Sequence, residues 1–231
     1  MATHPQLHVL SLPGQNAYGS DSGGGVKPPQ IGTTKEFVDY ALRNMACLSD
    51  GMGGMIHSSE VAIAETLRDT ELPPDIREAG PEFIRRVRDE ISARGRARGL
   101  SIPDLNHVAA TEEYNAVEFM FPHYLQLPVY GSMSSYRIRP ITPETCLFEL
   151  WSLILYPENE EREPPTAPVT MPFNSQDFPE IPRQDYSNLP LQQLGLHAKG
   201  FEFMRLGRDK EGMISNYQRL IDGYLAGIDP A

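Results

Sequence analysis

The sequence predicts an α+β fold with helices gathered against one face of an antiparallel sheet. Helical periodicity comes first along the chain, strand-like segments follow from about residue 107, and helical periodicity then returns. The 231 residues contain 40% hydrophobic and 22% charged residues, which is ordinary for a folded protein with a substantial core. We therefore expect residues 1–231 to form a single domain.

The first part of the chain predicts a loop followed by three helices. Residues 11–33 are rich in glycine, serine and proline, which favours irregular structure. Apolar residues then recur at helical spacing over 37–45 and 61–67. Pro81 occupies a plausible first position of the third helix. The opposite face of that helix is rich in arginine, which predicts a solvated face; the alternative is a docking surface for an acidic partner or a neighbouring subunit.

The middle of the chain predicts an antiparallel meander. β-Branched and aromatic residues concentrate in short runs, separated by Pro122, Gly131 and Pro143. The connections are of turn length, so neighbouring runs should pair antiparallel, and we expect strands from about Asn106 to Tyr156.

Two further helices are predicted after a proline-rich connection over 157–182. The first runs from about Pro182 to His197. The second, over 210–225, keeps one apolar stripe and ends near Gly227. Its stripe is expected to pack on the sheet.

Composition excludes several classes of function. A net charge of −11 argues against a nucleic-acid-binding surface. The longest apolar runs are far shorter than the roughly 20 residues of a membrane helix, and no signal segment is recognisable, so no membrane association is expected. Cys47 and Cys146 are too few for a disulfide framework, which favours a reducing, cytoplasmic location.

Two residues suit a metal centre, His4 and Asp185. Imidazole and carboxylate ligands on one face are typical of non-haem Fe(II) sites that activate dioxygen. Taken alone, His4 could be solvated, and Asp185 could be a capping or first-turn acid of its helix. His8 has helical metal-ligand spacing from His4, but Pro5 between them restricts a shared helix, so His4 is the stronger candidate. Residues 51–54 lack the order of a nucleotide-binding glycine loop.

Residues 183–195, read with the Ala-Thr-His-Pro-Gln-Leu run at 2–7, resemble the catalytic domain of the α subunit of Rieske-type, ring-hydroxylating non-haem iron oxygenases. Segments 119–124 and 136–140 are similar to strand segments of that family, so the resemblance covers most of the chain. It implies a helix-grip fold of the SRPBCC or Bet v 1-like type, in which a curved antiparallel sheet wraps a long C-terminal helix.

The resemblance also implies a function. His4 and Asp185 would bind a mononuclear Fe(II), and His123 would be a candidate substrate contact. Oxygen from O2 would be inserted into an aromatic or other apolar substrate, as a cis-diol or a single hydroxyl, in aromatic hydrocarbon catabolism. A reductase or ferredoxin would supply electrons through the [2Fe–2S] cluster of a neighbouring subunit, in a homo-oligomer that is a trimer when intact.

The chain departs from the family pattern in two ways. Neither Cys47 nor Cys146 begins a Cys-x-His or Cys-x2-His pair, so no Rieske cluster is expected within this sequence. The first iron histidine of the family would fall before Met1. We therefore expect an N-terminally truncated catalytic domain that is inactive alone, with Met1 inside a longer reading frame.

Two other classes of function remain open from the sequence. One is a non-catalytic module of the same fold that holds a hydrophobic small molecule; iron content would distinguish it from an oxygenase. The other is a scaffold subunit that binds its partner through the arginine-rich helix.

Overall fold

A computed structural model describes residues 31–111, 117–158, 160–161, 167–207 and 211–228. Within these ranges the elements are, in chain order, α1 (Thr34–Gly51), α2 (Ser58–Glu65), α3 (Ile76–Ala97), α4 (Leu105–Thr111), β1 (Glu118–Met120), β2 (Tyr124–Pro128), β3 (Ser132–Thr142), β4 (Thr145–Ile154), α5 (Glu180–Leu196) and α6 (Gly212–Leu225). The strands form one antiparallel sheet in the order β1-β2-β3-β4. The predicted α+β class is confirmed.

The start of α3 differs from the prediction. A carboxylate oxygen of Asp75 accepts the backbone N–H of Arg77 at 2.9 Å and caps the helix, which begins at Ile76. Pro81 therefore lies inside the helix, where its ring nitrogen cannot donate to the carbonyl of Arg77. The prediction of a helix start at Pro81 is wrong, because the capping aspartate determines where the helix begins.

The first predicted strand residues are helical. Oδ1 of Asp104 accepts the backbone N–H groups of Asn106 (3.0 Å) and His107 (2.9 Å), which favours a helical turn. The side-chain amide of Asn106 donates to the carbonyl of Arg85 at 2.9 Å and fastens α4 to α3. The expectation of strands from about Asn106 is therefore wrong for residues 106–111.

The hydrophobic core lies between α1, α2, α3 and the sheet. Leu42, Leu48 and Phe83 are fully buried, and Phe83 meets Phe37 edge to face with ring centroids 6.5 Å apart. Leu127 of β2 joins this core from the sheet side. Burying such side chains supplies most of the driving force for folding.

All of these helices lie against one face of the sheet. The register aligns Phe119, Leu125, Tyr136 and Leu150 across the four strands, so these side chains share one face. Tyr136 packs against the hydrophobic core on that face. We call it the covered face, and it confirms the expected gathering of helices on one side of the sheet.

The last two helices extend over the covered face. α5 buries Ile181, Pro182 and Tyr186 in its first half. α6 has no buried residue, and Tyr217 holds it to β1 through an edge-to-face contact with Phe119 at 5.1 Å. The predicted helix over 210–225 is thus present. Its stripe is half-buried at Ile214, Tyr217, Leu220 and Ile221 and exposed at Met213, Tyr224 and Leu225. No helix in the described ranges is both long enough and apolar enough to span a membrane.

Candidate functional site

Asp185 lies in the second turn of α5 and is partly buried. The start of α5 is fixed against the end of α1, where Gly53 has a φ of 63° and a Cβ would stand 2.9 Å from Cγ of Pro179. A larger residue would therefore be disfavoured at Gly53 on both backbone and steric grounds. The acid in the first turn of α5 is Glu180, so the interpretation of Asp185 as a first-turn or capping acid is wrong.

Four aromatic rings, one of them on α5 itself, pack together beside Asp185. Tyr186 meets Phe148 of β4 at 5.0 Å and Phe178 at 4.9 Å, both edge to face, and Phe148 lies 5.3 Å from Tyr136 of β3. We call these four residues the aromatic cluster. Aromatic pairs in such geometries stabilise packing beyond the area that they bury, so the cluster fixes the first half of α5 to the sheet.

The aromatic cluster lies within the electrostatic influence of Asp185. Burial and the nearby Asp185 carboxylate raise the pKa of Tyr186. Burial raises the pKa of Tyr136, with further contributions from Tyr186 and Asp185. Both phenols therefore stay protonated and are able to donate a hydrogen bond.

The two phenol hydroxyls have few acceptors. The hydroxyl of Tyr136 lies 4.0 Å from Sδ of Met52, a weak acceptor. The buried hydroxyl of Tyr186 has no hydrogen-bond partner among the residues that the structure describes. Two phenol hydroxyls that lack a strong acceptor among the described residues therefore lie near Asp185.

α5 and α6 lie over opposite edges of the sheet. α5 contacts Phe148 on β4, whereas α6 contacts Phe119 on β1, and β2 and β3 lie between these two strands. The half-buried side chains of Leu125 and Ile138 point to the covered face in this central region. We call the surface between the two helices the trough; Leu125 and Ile138 lie on it, with Phe119 and Phe148 at its two sides.

His123 lies in the turn between β1 and β2. Its carbonyl accepts the backbone N–H of Ile138 at 2.9 Å, and its ring Nε2 accepts from Nε of Arg137 at 3.4 Å. Arg137 follows Tyr136 in β3 and so projects from the opposite face of the sheet. The His123 ring is therefore beside the face that is turned away from the trough, and its contact with substrate stays a prediction.

His4 lies outside the described residues, so the structure does not test its proximity to Asp185. Within the described ranges, no group of three His, Cys, Asp or Glu side chains could hold a metal ion. Asp185 fits one position of a two-histidine, one-carboxylate site. The other positions require ligands from elsewhere in the protein.

The arginine-rich face of α3 is built from surface ion pairs. Arg85 and Arg86 both pair with Glu82, and Arg98 pairs with Glu160. This arrangement is typical of a solvated face, which was the predicted interpretation. Residues 51–54 lie at the end of α1 and directly after it, and no strand precedes them in the described residues.

The sequence interpretation did not identify the aromatic cluster. Tyr136 and Phe148 come from different strands, and the strand pattern predicts their face but not the helix that covers it. Tyr186 directly follows Asp185, so proximity in sequence could have indicated it.

The family comparison covers Asp185 and its surroundings. Residues 55–227 match the family model described as the ring hydroxylating alpha subunit, catalytic domain. The chain belongs to this family. The matched region of this ring-hydroxylating α-subunit domain runs from before α2 to the end of α6 and contains Asp185, the aromatic cluster and the trough. Membership indicates ring-hydroxylating oxygenase function in general. Searches of curated proteins and of solved structures found no match.

Proposed function

We propose that this chain is the catalytic domain of an oxygenase α subunit that inserts oxygen from O2 into an aromatic or other apolar substrate. The observation that carries the proposal is the family match, because the matched region includes Asp185 beside an aromatic-walled trough. The substrate would bind in the trough, and residues 1–231 would form one domain.

The iron would be held in part by Asp185 and His4. A carboxylate and imidazoles form the ligand set that suits Fe(II), and when bound the metal activates dioxygen. Asp185 supports this assignment because its helix is fixed to α1 and to the sheet, which holds the carboxylate in one place. A ligand on a rigid element keeps its geometry better than one on a loop.

The protein groups in the trough would bind and orient the substrate. Leu125 and Ile138 supply aliphatic contact, while Phe148 and Phe119 supply ring contacts at either side. Mostly apolar walls with a few polar groups are typical of small-molecule sites, and they also exclude water. His123 would contact the substrate only if its ring turned from Arg137 towards the trough.

Electron transfer would depend on other components. Cys47 is in α1 and Cys146 is on β4, and neither belongs to a Cys-His pair of the Rieske type. We propose that a [2Fe–2S] cluster of the complete enzyme and a reductase or ferredoxin supply the electrons, within a cytoplasmic homo-oligomer, and that this chain alone does not turn over.

A non-catalytic module that holds a hydrophobic small molecule is the second candidate. It is supported by the apolar side chains of Leu125, Ile138 and Phe148 on the covered face. Metal binding separates the two candidates, since an apolar ligand can bind such a module without iron.

The decisive experiment is an anaerobic Fe(II) titration of the chain and of three variants. We expect weak Fe(II) binding by the unchanged chain. Asp185→Ala and His4→Ala should each lower the affinity by a further factor of about ten or more, because each removes one protein ligand. His123→Ala should leave the affinity unchanged. Circular dichroism should show an unchanged fold in each variant. Equal Fe(II) affinity in Asp185→Ala and the unchanged chain would contradict the oxygenase proposal.

The same substitution can be tested in a longer protein. In a protein that joins this chain to a Rieske domain and a second iron histidine, we expect stoichiometric iron and oxygen consumption coupled to an aromatic substrate. Asp185→Ala in that protein should lose its iron while it remains folded.

A further inference from the structure

The buried hydroxyl of Tyr186 is the least satisfied polar group beside the candidate site. Tyr186 is only 5% exposed, and its Oη has no hydrogen-bond partner among the described residues. A buried hydroxyl without a partner destabilises a folded protein, and native structures pair almost all such groups. A group of this kind at a candidate binding site therefore indicates a ligand that supplies the missing acceptor.

The immediate surroundings of Tyr186 are aromatic. Its ring lies edge to face between Phe148 and Phe178, and neither ring offers a strong acceptor. Ser92 and Ser135 also have buried hydroxyls without a described partner, but Ser92 belongs to α3 and Ser135 projects from the face opposite the trough. Tyr186 is the unpartnered hydroxyl that adjoins Asp185 and the covered face.

The geometry points to Tyr186 as a specificity-determining residue, whose hydroxyl donates a hydrogen bond to an oxygen substituent on the aromatic substrate. This inference rests on the proposed function, because it places the substrate in the trough next to the aromatic cluster. A ring that carries a neutral carbonyl, ether or hydroxyl oxygen gives Tyr186 its acceptor. A plain hydrocarbon of the same shape leaves the donor unpaired, and sites built around a hydrogen bond discriminate against such analogues.

The test compares two probes of nearly equal shape, acetophenone and isopropylbenzene, of which only the first has an oxygen acceptor. Calorimetry gives a dissociation constant for each with the full chain and with Tyr186→Phe, without added metal. The ratio of the two constants removes differences in probe hydration that are common to both proteins. We expect Tyr186→Phe to reduce the preference for acetophenone by about tenfold, as the loss of one buried hydrogen bond predicts.

Tyr217→Phe is the matched control. It removes a phenol hydroxyl from the other aromatic contact of the covered face, where the ring meets Phe119 on β1. We expect the ratio of the two dissociation constants to be the same as in the unchanged chain. A ratio that falls equally in both variants would overturn the assignment to Tyr186.

The melting temperature of ligand-free Tyr186→Phe supplies a second measurement. An unpaired hydroxyl contributes no stability, so this variant should melt at the same temperature as the unchanged chain or higher. A clear decrease would mean that the hydroxyl has a protein partner, and this would overturn the inference. So would an unchanged probe ratio.

The two proposals fail separately. If Asp185→Ala loses Fe(II) while the probe ratio of Tyr186→Phe is unchanged, the oxygenase site stands and the role of Tyr186 falls. If Asp185→Ala keeps its Fe(II) affinity, the iron site falls, whatever the probe ratio shows.

Discussion

The helical layer of α1, α2 and α3 and the layer of α5 and α6 differ in how they bury apolar surface. In the first, side chains such as Phe83 and Leu48 are fully buried by their own neighbours. In the second, many large apolar side chains are exposed, including Leu191 and Leu194 of α5 and Tyr224 and Leu225 of α6; Leu194 and Leu225 are 69% and 77% exposed. The first layer is thus a self-sufficient core, whereas the second presents surface suited to ligands and neighbouring subunits.

The two layers also differ in the surroundings of one carboxylate each, Glu60 in the first layer and Asp185 in the second. The buried carboxylate of Glu60 accepts the backbone N–H of Gly131 at 2.6 Å, and it is hydrogen-bonded to the hydroxyl of Ser132. These bonds join α2 to the turn between β2 and β3. Asp185 lies on α5 near the phenols of Tyr186 and Tyr136 and contributes to the raised pKa of each.

The largest expected effect tests the core of the helical layer. Phe83→Ala should lower the free energy of unfolding by about 3–5 kcal/mol, because it removes a fully buried ring and leaves a cavity. Leu194→Ala, at an exposed position of α5, should change it by less than about 0.5 kcal/mol. Urea denaturation of both variants measures the contrast. Similar losses in the two variants would remove the distinction between the layers.

A smaller effect is expected at Glu60. Glu60→Gln keeps the shape of the side chain but turns one acceptor into a donor that faces other donors, so we expect a loss of about 1–3 kcal/mol in the free energy of unfolding. Glu202→Gln is the matched control, because Glu202 is exposed in the segment between α5 and α6. Equal denaturation midpoints for Glu60→Gln and the control would show that Glu60 does not link the layers.

The smallest effect concerns the solvated face of α3. Hydrogen bonds from Arg85 and Arg86 lower the pKa of Glu82 to about 2. Its folded pKa is below its unfolded value of about 4.3, so its contribution to stability is present above that pH and is lost as the pH falls towards 2. We expect Glu82→Gln to lower the melting temperature slightly at pH 7, by less than about 3 °C, since exposed ion pairs contribute little. The difference from the unchanged chain should vanish near pH 2; a difference that grew on acidification would contradict the assignment.

Much of the fold followed from local sequence patterns. The apolar stripe before Gly227 predicted α6, and the runs between Pro122, Gly131 and Pro143 predicted the meander. The two wrong element boundaries, at Pro81 and at Asn106, are explained by helix capping. Asp75 and Asp104 place helix starts where hydrophobic periodicity alone gave a different boundary, because a single side-chain acceptor can decide the end of a helix.

The candidate site was less accessible from the sequence. Asp185 was found through a residue pattern on a single helix, and that pattern is local. The aromatic cluster depends on which helix lies over which strand. The contacts of Tyr136 and Phe148 are therefore visible only in the tertiary structure. The direction of His123 depends on its contact with Arg137 across a turn, which strand periodicity does not determine.

The attachment of α5 at one end has a consequence for hydrogen exchange. Its first half is buried, whereas its second half is held near its end by Glu144, which accepts from Gln193 at 2.7 Å and contacts His197 at 2.9 Å. Pro190 stands between the halves and cannot donate to the carbonyl of Tyr186. Amide protons before Pro190 should therefore exchange slowly and those after it quickly, so that the helix opens in two steps, with Asp185 on the side that opens last.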